Sequence, residues 1–266
     1  SRGYKRIKTS GPIVSDGREL LLSPEESGDE PVLMAQACKG SPVLVGKDRS
    51  ANGRRALRQF GIQGLLLDDG YQHLPLRRDL DILLIDGRLG FGDGHLLPRG
   101  ILREPLSHLR RAHLFLLTKV EDLEASRSIE KKINEIHPRA DVFHSHYRPT
   151  GLVDAQGEEE ELDALAGKKI LALSGIAQPD SFSLLLRRCG AEIVREAIFP
   201  DHHRYRPGDL SPIKEESKRV DWIVTTEKDM LKLRKLGVDD LPIRSLRIEM
   251  KIREEEAFFK RVLSLF

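Results

Sequence analysis

The chain has 266 residues, 39% of them hydrophobic and 32% charged, a composition typical of a globular protein with room for two domains. Its 44 Lys and Arg residues stand against 42 Asp and Glu, and the resulting charge of +2 does not indicate a nucleic-acid-binding protein. Cys38 and Cys189 are far apart, and no segment approaches the ~18–20 apolar residues of a membrane span. We therefore expect neither a disulfide framework nor a cysteine metal site, nor an integral membrane protein.

The first 31 residues are rich in turn-forming residues, and a helix is predicted after them. Ser1–Tyr4 is typical of a strand end that enters a loop, so we expect further residues upstream. The apolar pattern after Pro31 predicts a helix that ends near Gly40. Asp29 then lies at or just before the start of this helix, where spacing alone favours a capping or first-turn acid stabilised by the helix dipole.

The next segments lead to the most informative part of the sequence, residues 65–73. A short strand is predicted over 42–46 and a helix over 48–60, followed by three leucines, two carboxylates, a glycine, an aromatic residue, an amide and an imidazole. Such an apolar run is typical of a strand buried on both faces, and ligands of open α/β sheets bind at the carboxyl ends of such strands. Because side chains alternate along a strand, one of Asp68 and Asp69 is expected to face Mg²⁺ and the other a neighbouring loop. An acid that only caps the next element is the alternative.

A second predicted strand, 82–86, is followed by a long segment that combines glycines with arginines. Residues 87–113 contain five glycines and five arginines, with prolines that stiffen the chain. Glycines allow close backbone approach and guanidinium groups bind phosphate, so this loop is suited to binding an anion; a mobile, solvated loop is the equally weighted alternative. Glu104, beside Arg103, predicts a local ion pair of small energetic value.

The middle of the chain suggests a domain boundary. A buried strand is predicted over 114–119, a polar helix over 123–136 and an extended connector over 142–153, before the solvated turn 157–161. We therefore expect a first domain over 1–148, a linker over 149–167 and a smaller α/β domain over 168–266.

The second half again alternates strands with helices. The sequence predicts strands at 169–173, from 192, at 222–226 and at 243–248, with helices at 180–188, from Pro212 and at 253–265. This alternation in both halves predicts an α/β fold with mainly parallel sheets. Adjacent histidines rarely bind one metal ion together, so His202 and His203 favour an acid–base or capping role over a zinc site.

Six motifs that occur in order along the whole chain identify a resemblance. They are Ser1-Arg2-Gly3-Tyr4, Gly28-Asp29-Glu30-Pro31, Leu67-Asp68-Asp69-Gly70-Tyr71-Gln72-His73, Leu102-Arg103-Glu104-Pro105, Asp201-His202-His203-Arg204-Tyr205 and Thr226-Glu227-Lys228-Asp229. Together they resemble the tetraacyldisaccharide 4′-kinase family of lipid A synthesis. Members pass the γ-phosphoryl group of ATP to the 4′-hydroxyl of tetraacyldisaccharide 1-phosphate at the cytoplasmic face of the bacterial inner membrane. The resemblance implies two three-layer domains of Rossmann-like or P-loop-NTPase-like architecture.

The resemblance also implies roles for individual residues. It implies that Asp29 is the base on the 4′-hydroxyl and that His202 is its paired imidazole. The remaining roles are Mg²⁺ binding by Asp68, Asp69 and Glu104, substrate binding by Tyr4, Gln72, His73 and Arg103, and nucleotide binding by Glu227, Lys228 and Asp229. The implied partners are ATP, the glycolipid and the inner-membrane surface, which the enzyme contacts peripherally, with no nucleic acid; a monomer is expected.

One departure from the family pattern tempers the functional expectation. The family carries a P-loop before the Ser-Arg-Gly-Tyr motif, together with a membrane-associating N-terminal segment. This sequence contains no Gly-x-x-x-x-Gly-Lys-Ser/Thr, and its nearest approach, 166–169, lacks the first glycine and the hydroxyl. We therefore expect this chain alone not to turn over ATP. The alternatives are a non-catalytic α/β module that binds a nucleotide or anionic glycolipid, and a sugar-nucleotide transferase.

Overall fold

The computed structural model describes residues 11–201 and 203–265, which form two compact units. The larger unit contains residues 11–72 and 149–247, and the smaller unit contains 73–148 and 248–265. The chain therefore passes between the units three times, and two of these passages lie inside strands rather than in loops.

The described residues form an alternation of strands and helices. The strands are β1 (Ile13–Ser15), β2 (Val43–Leu44), β3 (Ile82–Asp86), β4 (Leu114–Thr118), β5 (Asp141–Asp154), β6 (Glu159–Glu160), β7 (Lys169–Ser174), β8 (Glu192–Ile198), β9 (Trp222–Thr226) and β10 (Ile243–Ile252). The helices are α1 (Pro24–Ser27), α2 (Asp29–Ala37), α3 (Arg49–Phe60), α4 (Leu123–Ile136), α5 (Pro179–Arg188), α6 (Pro207–Ser217), α7 (Glu227–Leu233) and α8 (Glu255–Leu263). None of the helices in these ranges combines the length and the apolar character that a bilayer crossing requires.

The larger unit is built on a parallel sheet with the strand order β10–β9–β7–β8. Alternate residues of β7 enter different apolar clusters. Leu171 and Leu173 pack with residues of α6 and α7, whereas Ile170 and Ala172 pack with residues of α5. Helices thus cover both faces of the sheet, which explains why β7 is apolar along nearly its whole length.

A small two-stranded antiparallel sheet attaches α2 to the same unit. Strands β1 and β2 pair in antiparallel fashion, and Val14, Val32 and Val45 form a buried cluster beside Leu231 of α7. This cluster brings the first turn of α2 close to α7. The contact matters for the site described below, because Asp29 is the first residue of α2.

The smaller unit contains the parallel strands β3, β4 and the first part of β5. All five residues of β4 are buried, and Phe143 of β5 meets Phe258 of α8 edge to face at 5.3 Å. Near the start of β5, a network around the buried His144 joins β5 to α4 and to the residue that precedes α8. The His144 ring nitrogens lie 3.0 Å from Oε1 of Glu130 and 3.0 Å from Oε1 of Glu254, and the His144 N–H donates to Glu254.

This network predicts an acid-sensitive contribution to stability. Partial burial disfavours the Glu254 carboxylate, but the hydrogen bonds from the His144 N–H and ring outweigh it and lower the pKa of Glu254 below its ordinary value. A carboxylate with a lowered pKa stabilises the fold at pH values above its unfolded-state pKa of about 4.3. This stabilisation is lost as the pH falls through the folded-state pKa. We expect Glu254→Gln to lower the melting temperature at pH 7, and this difference to shrink towards pH 3. The effect is no more than about 1 kcal/mol because the side chain is 40% exposed.

Thermal unfolding of the two proteins between pH 3 and pH 7 measures this difference. A difference that stays constant over this range would show that the carboxylate charge is irrelevant.

The predicted strand over Leu65–Leu67 is wrong. These residues have no strand assignment, and the Leu66 side chain is 95% exposed. Within the described residues no strand pairs with this segment through backbone hydrogen bonds. Leu65 instead packs against α3, where a Cβ added to Gly53 would come within 3.1 Å of its Cδ1.

Two other boundaries differ from the expectation. The segment expected as a linker, 149–167, contains the end of β5, strand β6 and a 3₁₀ turn, and its Leu152 and Leu165 are fully buried. It is therefore part of the larger unit's core. The helix expected from Pro212 begins at Pro207, because the Asp209 carboxylate accepts the Arg206 N–H and caps the helix five residues earlier.

Candidate functional site

The site is built around the first turn of α2. Gly28 precedes the helix with a φ of 98°, a left-handed conformation that glycine adopts without strain, and Asp29 is the first helical residue. A carboxylate in this position is stabilised by the helix dipole. The Asp29 side chain is 23% exposed, so it is accessible to a substrate but partly enclosed.

Lys232 of α7 lies beside this carboxylate. Its Nζ atom is 3.4 Å from Oδ2 of Asp29 and 3.6 Å from Oδ1 of Asp229, one turn earlier on the same helix. The lysine side chain is 14% exposed, and Asp229 is fully buried. The larger unit thus places a predicted catalytic acid and a predicted nucleotide-site acid around one ammonium group.

Asp229 connects α7 to the end of β7. Its Oδ2 accepts the Gly175 N–H at 2.8 Å and the Thr226 hydroxyl at 2.8 Å, while the Thr226 oxygen accepts the Asp229 N–H. A Cβ added to Gly175 would lie 3.1 Å from Oδ1 of Asp229 and 3.0 Å from the Tyr205 hydroxyl, so the glycine allows a close approach. Burial, followed by the negative charge of Asp229, raises the pKa of Tyr205 above its ordinary value.

The segment 199–209 is held by aromatic packing and one ion pair. The His203 ring stacks on Phe199 with centroids 4.7 Å apart and meets Tyr205 edge to face at 5.0 Å. Its Nε2 lies 3.1 Å from Oδ2 of Asp209, and this contact, together with the Arg206 N–H, lowers the pKa of Asp209. His203 therefore has a structural role, whereas His202, the predicted catalytic imidazole, lies outside the described residues.

The two adjacent acids of the Leu65–His73 segment lie on a turn that Arg49 holds. The Arg49 side chain is almost completely buried, and its Nη2 donates to the carbonyls of Asp68 and Asp69 at 2.8 and 3.1 Å. Asp69 has a φ of 46°, the left-handed region that Asp tolerates better than most residues. Asp68 is half-buried and Asp69 exposed, so both carboxylates are accessible.

This turn depends on a glycine, which gives a second prediction. A Cβ added to Gly70 would lie 2.9 Å from Cβ of Leu67 and 3.5 Å from Nη1 of Arg49, so the backbone must move to accept it. We expect Gly70→Ala to cost about 1–3 kcal/mol of unfolding free energy, measured by urea denaturation. Gly208→Ala is the matched control, because no atom lies within 4 Å of its added Cβ. Equal effects of the two substitutions would contradict this account of the turn.

Arg103 and Glu104 belong to the smaller unit. The Glu104 carboxylate is 2.6 Å from Nδ1 of His108 and 2.7 Å from Nη2 of Arg111. These two partners lie about one and two turns further along the chain, and the ion pair expected between Glu104 and Arg103 stays a prediction. These contacts orient the Glu104 carboxylate, and its predicted metal contact stays a prediction.

The remaining predicted site residues are placed as follows. Gln72 is the last residue of the larger unit and His73 the first of the smaller unit, where its carbonyl accepts a hydrogen bond from Arg78. Lys228 of α7 lies 3.3 Å from Asp201, and Glu227 lies 3.9 Å from Arg247. Tyr4 lies outside the described residues.

Sequence reasoning missed two residues of this site, Lys232 and Arg49. The signal for Lys232 was its position one helical turn after Asp229, which places the two side chains on one face of a helix. Arg49 directly follows the helix-capping Asp48 and gave no signal of its own. The long-range contacts of both residues depend on the tertiary fold.

Comparison with known proteins agrees with these features. All 266 residues match the family model described as tetraacyldisaccharide-1-P 4′-kinase, LpxK. The chain is 40% identical to the tetraacyldisaccharide 4′-kinase of Syntrophus aciditrophicus over 100% of this chain and 74% of that protein. It is 43% identical to the enzyme of that name from Anaeromyxobacter dehalogenans, over 88% of this chain and 63% of that protein.

A solved structure resembles the whole chain. It is the LpxK of Aquifex aeolicus, described as an apo form in complex with ATP, with 32% identity, a TM-score of 0.76, and coverage of 100% of this chain and 77% of that one. The fold is therefore that of an α/β phosphotransferase with P-loop-NTPase-like architecture. The chain belongs to the tetraacyldisaccharide 4′-kinase family. The predicted family, fold class and enzyme class are confirmed.

Proposed function

We propose that the protein containing this chain is the ATP-dependent kinase that phosphorylates the 4′-hydroxyl of tetraacyldisaccharide 1-phosphate in lipid A synthesis. The match of all 266 residues to this family is the observation that carries the proposal. It favours the kinase over the two alternatives, a non-catalytic binding module and a sugar-nucleotide transferase.

Asp29 is the proposed general base. Phosphoryl transfer depends mostly on positioning and charge neutralisation, with one carboxylate accepting the proton of the attacking hydroxyl. In this proposal the 4′-oxygen forms a bond to the γ-phosphorus of ATP, its proton passes to Asp29, and the bond to ADP breaks. The partly exposed carboxylate at the start of α2 supports this role. His202 is proposed to stabilise the accepted proton.

Asp68 and Asp69 are proposed to hold Mg²⁺. The two carboxylates are accessible, and Arg49 holds the turn that carries them. Carboxylate oxygens are hard donors, which suit Mg²⁺. Among the described residues no group of three or more potential ligands forms a closed metal cage. This fits an ion that uses one or two carboxylates and completes its shell with water and phosphate. When bound, Mg²⁺ would neutralise phosphate charge, and Glu104 is a further candidate contact.

The other proposed contacts follow the family motifs. Tyr4, Gln72, His73 and Arg103 are assigned to the glycolipid, and Glu227, Lys228 and Asp229 to the nucleotide. Because Asp229 is fully buried, it would act on a nucleotide only through the groups that it positions. A monomer that contacts the cytoplasmic face of the inner membrane peripherally is part of the same proposal.

The decisive experiment uses the full-length gene product. It is incubated with γ-³²P-ATP, Mg²⁺ and tetraacyldisaccharide 1-phosphate in mixed micelles, and the lipid fraction is analysed for label. We expect label at the 4′-position, and its loss when the metal is chelated. Label transfer to water alone, or protection by a sugar nucleotide rather than by ATP, would contradict the proposal.

A further inference from the structure

Lys232 forms an ion pair with the proposed base, and the catalytic roles given above leave it unexplained. Its Nζ atom is shielded from solvent and lies within 4 Å of the Asp29 and Asp229 carboxylates. Burying an ammonium group is costly unless opposite charges compensate for it. A lysine retained in such a place therefore needs both carboxylates, and it constrains both.

The two carboxylates depend on Lys232 to different extents. Asp229 is already fixed, because its Oδ2 accepts hydrogen bonds from Gly175 and Thr226. Asp29 lies at the start of another helix, and among the described residues Lys232 is its recorded ionic partner. The lysine is thus not required to anchor Asp229, but it is placed to restrict where the Asp29 carboxylate points.

We propose that Lys232 is a positioning residue that orients the Asp29 carboxylate for proton transfer, and that Asp229 fixes Lys232 in turn. This inference rests on the proposed function, because it assigns a role to a neighbour of the proposed base. When Asp29 accepts the substrate proton, its own charge is neutralised. The nearby Asp229 carboxylate then still compensates the ammonium group, so the cluster never contains an isolated buried cation.

Kinetics of the full-length gene product test the proposal. We expect Lys232→Met to lower kcat about 10²-fold with KM for ATP and for the lipid changed less than threefold, because orientation and not binding is lost. Lys232→Arg keeps a cation between the carboxylates, so its kcat should be at least tenfold higher than that of Lys232→Met. In an Asp29→Ala background, Lys232→Met should lower kcat less than twofold further, since the group that it orients is gone.

The matched control is Lys235→Met, one turn further along the chain. Lys235 pairs with Glu25, and its side chain is 40% exposed, so we expect unchanged kcat and KM. Unchanged kcat in Lys232→Met, no recovery in Lys232→Arg, or a full additional loss in the Asp29→Ala background would each overturn the proposal. If Lys232→Met does not fold, Lys232→Arg is measured instead, both in the wild-type protein and in the Asp29→Ala variant. If Lys232→Arg lowers kcat by the same factor in both backgrounds, the proposal is overturned.

A second measurement separates this proposal from the proposed function. The melting temperature is determined for Asp29→Asn, Lys232→Met and the double variant, with the Asp29→Asn and Lys235→Met pair as the reference. Non-additive changes of the melting temperature in the first pair, with additive changes in the reference pair, support the Asp29–Lys232 contact. This holds even if the wild-type protein transfers no phosphate to the lipid. Additive shifts in both pairs would overturn the positioning role.

Discussion

Replacing Asp29 by Ala in the full-length gene product is expected to lower kcat by about 10³-fold, within the 10²–10⁴ range of general-base catalysis. The carboxylate at the first turn of α2 is the only proton acceptor that the proposed mechanism places on the 4′-hydroxyl. ATP affinity should stay within threefold, because the proposed nucleotide contacts lie on other residues. Steady-state kinetics with radiolabelled ATP, together with nucleotide binding by calorimetry, measure both quantities.

The neighbouring Glu30→Ala provides the control for Asp29→Ala. Glu30 also lies in the first turn of α2, so its removal takes away the same charge from the same helix end. We expect less than a threefold change in kcat. A comparable loss in the two variants would indicate an effect of the helix terminus, and full activity of Asp29→Ala would remove Asp29 from the mechanism.

Replacing Asp229 by Ala is expected to destabilise the protein by about 3–5 kcal/mol, because it leaves a shielded ammonium group with one fewer counterion. The change also removes the acceptor of the Gly175 N–H and of the Thr226 hydroxyl. Asp229 has no exposed surface, so water cannot replace these interactions without local opening. Urea denaturation followed by circular dichroism gives the free energy of unfolding.

Asp240→Ala is the corresponding surface control. Asp240 lies 3.4 Å from Lys214, but its side chain is 67% exposed, so the pair is screened by solvent. We expect a change within about 0.5 kcal/mol. An equally small change in Asp229→Ala would show that the buried network contributes little to stability.

Much of the fold could be predicted because its strongest signals are local. The apolar runs of β3, β4, β7 and β9 and the capped helix α3 were found close to their observed bounds. Each combines a short buried run with nearby turn residues, or an N-cap with a terminal glycine. Asp48 and Gly61 bracket α3 in this way, the first as a cap and the second in the left-handed conformation.

The failures arise where tertiary contacts decide. Leu65–Leu67 has the composition of a buried strand, but a strand also needs a neighbour, which no local pattern supplies. The early start of α6 depends on Asp209 capping the Arg206 N–H across a proline. The ionic contact between Asp29 and Lys232 joins residues far apart in the sequence, so spacing could favour a capping role for Asp29 but could not reveal its cation.

The site also combines residues that sequence motifs identified with residues that only the tertiary structure reveals. Motif resemblance proposed roles for Asp29, Asp68 and Asp69, and the structure adds how their surroundings hold them. Arg49 fixes the backbone of the two metal-site acids, and Lys232 lies against the proposed base. Neither supporting residue belongs to the quoted motifs, because its partners are fixed by folding and not by sequence distance.

The passage of β5 and β10 through both units has a practical consequence for dissecting this enzyme. Since the chain crosses between the units three times, no single cut of the polypeptide yields either unit as one continuous piece. A fragment that ends at residue 148 would lack the second segments of both units and would interrupt β5 in mid-strand. Gene fragments for expressing a part of this protein therefore need splicing or permutation rather than simple truncation.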